Sequence, residues 1–418
     1  MTEGARLLVW AIVAAAAAGA LVRPFRSSEA AWALAGAILV VTLGLLPLAD
    51  AGRAVLKGLD VYLFLIGMML LSEIARREGL FEAVAAFAVN RAGGSPRRLF
   101  MLIFAAGILV TAFLSNDATA VVMTPAVLAA ARRARADPLP HLFACALVAN
   151  AASFVLPISN PANLVLYGDH TPPLAAWMAS FALASCAAIL ATFAALRWTE
   201  RRGLAGDCES AVEQPRLTDG GWMAIAGLVA TVGVLLVVSA LDRPLGLPTF
   251  LMGLATAAVV LVRRRTSPAP VLARMSWSVV LFVAGLFVMV GALERTGAIT
   301  ALAGVLAQAA HARPGLAAWS AGGLVALACN LVNNLPAGLM ASAAQAQAHA
   351  PRSVVDALLI GVDLGPNLSI TGSLATLLWL AALRREGERV GFWRFLRTGA
   401  LVTPPALALA LAARMVAG

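Results

Sequence analysis

Apolar runs long enough to cross a bilayer recur from one end of the chain to the other, beginning with LLVWAIVAAAAAGALV after Arg6. A helix needs roughly 20 such residues to span the hydrocarbon core. A soluble core has no means of hiding so many helices that are apolar all round, and barrel strands would be shorter and alternate in polarity. The composition agrees: 61% of residues are apolar, 12% are charged and the mean hydropathy is +0.88. The reading is an all-α polytopic membrane protein. The first run carries small residues of the kind that follow a secretory signal, but it is taken as a retained helix because it has a counterpart later in the chain.

The net charge of +10 does not point to nucleic acid. Lys57 is the only lysine, and the arginines come in twos and threes between apolar runs, as in membrane loops. Cys145, Cys186, Cys208 and Cys329 lie far apart with no CxxC spacing, so neither a disulfide framework nor a metal site is expected. There is no GxxxxGK[ST] phosphate loop and no hydrophilic segment large enough for a nucleotide domain. A transporter without a cofactor, rather than an enzyme, is the expectation.

Two halves repeat. LFLIG (63–67) superposes on LFVAG (281–285), and the same offset places Arg77 on Arg295, Gly79 on Gly297 and Asn116 on Asn334. After a five-residue deletion, NAASFVLPISN (150–160) falls on DLGPNLSITGS (363–373). Residues 1–200 and 221–418 then read as copies of one unit joined by a central cytoplasmic loop, 201–220. Crossings are expected at 7–22, 30–49, 60–76, 139–166 and 174–196, then at 221–240, 245–262, 275–293, 353–383 and 397–416. The segments 81–94 and 299–310 are too short to span and are expected along the interface.

The polar turns at 115–117 and 333–334 read as tips of re-entrant hairpins, because Arg97 and Arg98 on one side and Arg132, Arg133 and Arg135 on the other flank the first tip. Five crossings per half is odd, so the second half runs upside down. The expected architecture is an inverted-topology repeat of two five-crossing halves, each with a re-entrant hairpin and a broken transmembrane helix. Most of the 31 cations then share a side with the central loop, which the positive-inside rule makes cytoplasmic.

Four polar breaks interrupt the apolar segments: SND (115–117), LPISNPAN (156–163), NNLP (333–336) and DLGPNLSITGS (363–373). Irregular backbone at membrane depth is tolerated only where protein or a watery cavity satisfies it. One proline alone would read as a kink, but two symmetric pairs of breaks carrying Asn or Asp read as a transport site at the repeat interface. The candidate substrate-binding residues are Ser115, Asn116, Ser159, Asn160, Asn163, Asn333, Asn334, Thr371 and Ser373. Asp117 and Asp363 are candidate proton carriers, since an intramembrane carboxylate is costly and usually functional. Glu73 and Glu294, beside arginines, are expected in interfacial ion pairs, and His170 in a loop.

These blocks, above all GVDLGPNLSITGSLATLLWL (361–380) with LSNDATAVVMTPAV (114–127), ISNPANLV (158–165) and NNLPAGLM (333–340), resemble the ArsB family of arsenite and antimonite efflux transporters. That family belongs to the ion transporter superfamily, with the divalent-anion/sodium symporters and the NhaD-type sodium/proton antiporters. The resemblance covers nearly the whole chain. It implies export of arsenite or antimonite across a bacterial inner membrane, driven by protons or through a soluble arsenite-stimulated ATPase. It also carries the substrate role onto Asn116, Asn160, Asn163, Asn334 and Ser373 and the proton role onto Asp117 and Asp363. Where the symporters favour Ser-Asn-Thr, this chain has Ser115-Asn116-Asp117 and Asn333-Asn334-Leu335, and a carboxylate there disfavours a dicarboxylate cargo. A sodium/proton antiporter on the same scaffold is the alternative, and a non-transporting scaffold is a third reading that leaves the paired breaks unexplained. Cys329, just before the second tip, is expected to pack rather than to touch As(III).

Overall fold

The structure is a computed structural model describing residues 1–24, 27–168 and 171–417, so the reading of His170 lies outside the described residues. The first half consists of α1 (Glu3–Val22), α2 (Glu29–Thr42), α3 (Leu48–Lys57), α4 (Leu59–Arg77), α5 (Leu80–Ala92), α6 (Pro96–Phe113), α7 (Thr124–Arg133), α8 (Pro138–Ala151), α9 (Pro161–Tyr167) and α10 (Leu174–Thr199). The second consists of α11 (Asp219–Ala240), α12 (Gly246–Arg264), α13 (Ala269–Arg274), α14 (Trp277–Thr296), α15 (Ala298–Ala312), α16 (Pro314–Val332), α17 (Asn334–Ala348), α18 (Arg352–Leu364), α19 (Leu374–Arg385) and α20 (Phe392–Val416). Among the described residues ten α-helices thus precede the central loop and ten follow it. Across the two sets α4 packs on α12, α2 on α14 and α10 on α20.

Among the described residues eight helices are long and apolar enough to span a membrane, or nine if α3 and α4, bent by 48°, count as one. The expected crossings at 139–166 and 353–383 are split into α8/α9 and α18/α19, each piece too short to span alone. The expected span 30–49 is corrected. Gly44 (φ +69°) ends α2 early in a Schellman turn, with Leu45 N on Val40 O at 2.9 Å and Gly44 N on Val41 O at 3.0 Å. The chain then enters the amphipathic α3, whose Asp50, Arg53 and Lys57 give it a polar face.

The loop between the halves decides which ends share a face. Its Cys208 N donates to Gly94 O at 3.0 Å, ahead of α6, and Glu209 N donates to Ala134 O at 2.7 Å, at the end of α7. Neighbouring residues therefore touch both ends of the α6–α7 segment, which enters and leaves on one side. Val212 N donates to Asn90 Oδ1 at 2.7 Å, and Thr218 Oγ1 donates to Glu78 Oε2 at 2.8 Å. Both ends of α5 are thereby on this same face, and α5 does not cross.

Close helix contacts are made through glycine. A Cβ on Gly361 (α18) would lie 2.2 Å from Gly322 O (α16), and one on Gly253 (α12) would lie 2.5 Å from Gly67 O (α4). Small residues let backbones approach where lipid supplies no hydrophobic drive. Gly361→Val should lower the thermal midpoint of the detergent-solubilised protein by overpacking worth about 1–3 kcal/mol, whereas Gly233→Ala, with open space around it, should not. For the hairpin, cysteines placed at the exposed Arg98, Arg133 and Arg201 should all react with a membrane-impermeant maleimide from one side. Labelling of residues 98 and 133 from opposite sides would mean that α6–α7 spans.

Candidate functional site

The two broken helices meet in the interior. Pro157 and Pro161 remove backbone donors from the first break, and Asn160, extended at φ −149°, starts α9 by accepting Ala162 N at 3.0 Å on Oδ1. Ser373 (φ −141°) does the same for α19, accepting Thr376 N at 3.1 Å. Capping through Oδ1 leaves the Asn160 amide nitrogen free to donate to Asp363 Oδ1 in the second break, at 2.7 Å. A second bridge lies beside it: Asn150 Nδ2 donates to Asn367 Oδ1 at 2.9 Å, and Asn367 Nδ2 to Leu147 O at 2.9 Å. All of these residues are buried.

The hairpin tips close around the breaks. Asn334 N donates to Gly372 O at 2.9 Å, and Asn333 Nδ2 reaches Thr371 O at 3.5 Å, so the second tip rests on the second break. Asn333 stands at φ 78°, ψ 154°, a region that favours glycine, and accepts Leu335 N on its side chain. The first tip approaches the first break through Ser159 Oγ, which donates to Ala112 O at 3.2 Å. In that hairpin Ser115 Oγ accepts Ala118 N, Asn116 Oδ1 accepts Asp117 N, and a π-helical stretch, Ala118–Met123, leads into α7. Such bulges are frequent at functional sites. The π stretch packs on α19, while α17 packs on α9, so each hairpin leans on the broken helix of the other half.

The candidate residues differ in how committed they are. Asn163 spends its amide nitrogen on three backbone carbonyls of the first break, Ser153, Leu156 and Pro157, at 2.9, 3.3 and 3.2 Å. Thr371 donates to Asn330 O at 2.9 Å, and Ser369 to Asn330 Oδ1 at 2.7 Å. Asp363 is fully buried, and its Oδ2 has no partner among the described residues. Asp117 is half-buried, with no hydrogen-bond or ion-pair partner for its carboxylate among the described residues, and it is not joined to Asp363. In the two breaks and the second tip, the buried side-chain atoms without partners are Asn150 Oδ1, Asn163 Oδ1, Asn334 Oδ1 and Asp363 Oδ2. All four are acceptors.

A cavity of about 1030 Å³ opens on the face opposite the central loop, at the start of α4 and the end of α9. Asp50, Arg53, Glu294 and Arg352 line its mouth; Leu164, Val165 and Leu339 are among its apolar walls. The expectation for Glu294 is corrected here: Arg295 pairs with Asp50 at 2.7 Å, and Glu294 faces the cavity. Glu73 does pair with Arg76, whose Nε donates at 2.7 Å. Cys329 is fully buried with Sγ 3.9 Å from Val362 O, and the four cysteines are all free.

Sequence reasoning gave no role to Asn330, Asn367, Asn150, Tyr167, Asp356 or Arg414. For Asn330 the available signal was a polar residue one turn ahead of the second tip. For Asp356 it was a second acid two turns ahead of Asp363 on the same helix. Asn163→Ala should strand three carbonyls and lower the thermal midpoint as a loss of about 2–4 kcal/mol would. Asn160→Ala, which removes a cap, should cost about 1 kcal/mol. Equal shifts in a ligand-free melting assay would refute that ranking.

Comparison with known proteins places this geometry. Over 88% of the chain the fold matches the Alcanivorax borkumensis YdaH transporter (TM-score 0.56, 17% identity, 86% of that chain). It also matches Neisseria gonorrhoeae MtrF, described among antimetabolite efflux pumps (TM-score 0.52, 15% identity, 88% of this chain and 83% of that one). In sequence, an uncharacterized transporter of Mycobacterium tuberculosis is 28% identical over 96% of both chains. The arsenical pump membrane protein of Yersinia enterocolitica is 28% identical over 83% of this chain and 84% of its own, and that of Escherichia coli 27% over 90% and 91%. Residues 8–362 match the citrate transporter family CitMHS, and the chain belongs to that family of membrane transporters.

Proposed function

We propose that this protein exports arsenite and antimonite, as neutral trihydroxides, in exchange for protons across a bacterial inner membrane, with the breaks and tips as the cargo site. The observation that carries this reading is the chemistry of the orphaned atoms. Three buried amide oxygens accept hydrogen bonds only, and Asp363 Oδ2 accepts while its carboxyl is ionised, so together they call for a ligand that donates, and a trihydroxide offers three O–H groups. Two of the three amide orientations are fixed by their partners. Asn163 Nδ2 is committed to carbonyls, and Asn367 Nδ2 on Leu147 O forces Asn150 to present its oxygen.

A citrate or dicarboxylate is the wrong partner for such a site. It would bring two or three negative carboxylates, and among the described residues no arginine or lysine is hydrogen-bonded or ion-paired to a residue of the breaks or tips. Three cysteines set to chelate As(III) are not gathered either, which fits a cargo held loosely enough to be released. Sequence similarity to arsenical pump membrane proteins supports the same substrate class.

In this reading the two halves are inverted copies. The central loop and the arginines around it face the cytoplasm, and the cavity of about 1030 Å³ is the exit vestibule of an outward-facing state. Asp363 carries the proton, because its second oxygen has no other partner, and Asp117 serves the same exchange from the first hairpin. The ion gradient suffices in this account, and a soluble ATPase is an accessory. The alternative cargo is sodium, a hard cation that carboxylate and amide oxygens also suit.

The test is arsenite uptake into everted vesicles under an imposed proton gradient, without ATP. Gradient-driven accumulation that falls at least about tenfold in Asp363→Asn and is insensitive to citrate is the expected result. Sodium-driven proton movement with no arsenite uptake would assign the site to the antiporter, and citrate uptake would overturn the charge argument.

A further inference from the structure

Helices α9 and α18 run antiparallel and are joined at two places. At their inner ends Asn160 donates to Asp363 at 2.7 Å. Two turns outward on each helix, the Tyr167 hydroxyl donates to Asp356 Oδ1. Seven residues separate Asn160 from Tyr167, and seven separate Asp356 from Asp363, so both bonds belong to one register of the helix pair. Spacing by seven keeps each set on one face, about 10 Å apart.

The outer joint is more than a single bond. Asp356 is fully buried, and its other oxygen takes Arg414 Nε of α20 at 2.7 Å; Arg414 is itself only 3% exposed. Arg352 Nε approaches the same oxygen at 3.7 Å from the vestibule mouth. An ion pair buried this deeply is weak evidence for stability, because desolvation offsets the attraction and apolar residues of similar volume often do as well.

The molecule contains the apolar solution. In the sequence superposition that lays Asn150 on Asp363, Phe143 falls on Asp356 and Leu380 on Tyr167. There, between α8 and α19, Phe143 meets Trp379 and Phe395 with ring centroids 5.9 and 5.8 Å apart. Aromatic packing therefore suffices to hold one helix pair, while the other uses a tyrosine, a carboxylate and a guanidinium. A hydrogen-bonded joint has what a ring cluster lacks, a single allowed register.

We infer that Tyr167, Asp356 and Arg414 are positioning residues that fix the register of α9 against α18 and so hold Asn160 on Asp363. The inference rests on the reading above that this pair belongs to the transport site. A slip of either helix at the outer joint would separate the inner pair, leaving the cargo facing a mispositioned amide and a carboxylate with two free oxygens.

The experiment uses Tyr167→Phe, which removes one hydroxyl and leaves Asp356 paired with Arg414. In the vesicle assay its KM for arsenite should rise roughly tenfold with the maximal rate per folded protein nearly unchanged. In an Asn160→Ala background the same change should leave KM where it was, because the joint acts through Asn160. A fall in rate that tracks protein amount with KM unmoved, or additive effects in the double variant, would overturn the inference. Amide hydrogen exchange of the solubilised protein supplies a second readout that needs no cargo. Tyr167→Phe should accelerate exchange at residues 162–164, about one turn from the substitution and next to Asn160, by roughly tenfold. Acceleration confined to residues 166–168 would overturn the inference too. If the wild type moves no arsenite, the functional reading fails, and the exchange result still decides the joint.

Discussion

The Asn160–Asp363 hydrogen bond is the contact on which the rest of the interior depends. Each partner sits where a helix has been interrupted, and an interrupted helix at membrane depth leaves carbonyls and amides without water to satisfy them. The protein answers with asparagine. Asn163 gathers the carbonyls of the first break, Asn330 serves the second by donating to Gly365 O and accepting Ser369, and Asn150 with Asn367 ties one to the other. An amide suits this work because it donates and accepts at once, so one buried side chain serves two strands of irregular backbone without bringing charge. After these duties the fully buried side-chain atoms left without partners in the breaks and the second tip are oxygens.

The two halves share a scaffold but not a chemistry. Position by position, Asp117 faces Leu335, Asn150 faces Asp363, and Asn160 faces Ser373. The shared parts are the ones packing demands: Gly67 where α4 meets α12 and Gly285 where α14 meets α2, and side-chain caps at the start of α9 and α19. The parts that diverge carry charge. In the exchange proposed above, a symmetric frame can serve the motion, but a proton and a cargo need a site with defined polarity. That asymmetry is concentrated in two carboxylates and in the joint at Asp356.

Family membership and site chemistry bear on different questions. The CitMHS match establishes a transporter family and the two solved folds a common scaffold, while the cargo proposed above rests on a handful of atoms at the breaks. A citrate carrier needs cations or an array of donors, and these breaks present amide oxygens and a carboxylate. The nearby guanidinium of Arg414 is already engaged by Asp356 and lies two turns from the Asn160–Asp363 pair.

How much was legible from the residues follows from the range of the forces involved. Helicity, membrane burial and the four breaks were readable because each rests on local pattern: apolar length, and prolines with asparagines inside apolar runs. The early end of α2 at Gly44 and the switch of Arg295 from Glu294 to Asp50 were not, since the first depends on one left-handed residue and the second on a helix that hydropathy ignores. The sequence by itself determined that irregular polar backbone must be housed inside a helical membrane protein. Only the tertiary structure decided which asparagine satisfies which carbonyl, which buried oxygens are left without partners, and that Tyr167, Asp356 and Arg414 share one joint. Those partners lie up to 247 residues apart, and nothing in local propensity encodes the meeting of groups that only packing brings within hydrogen-bond reach.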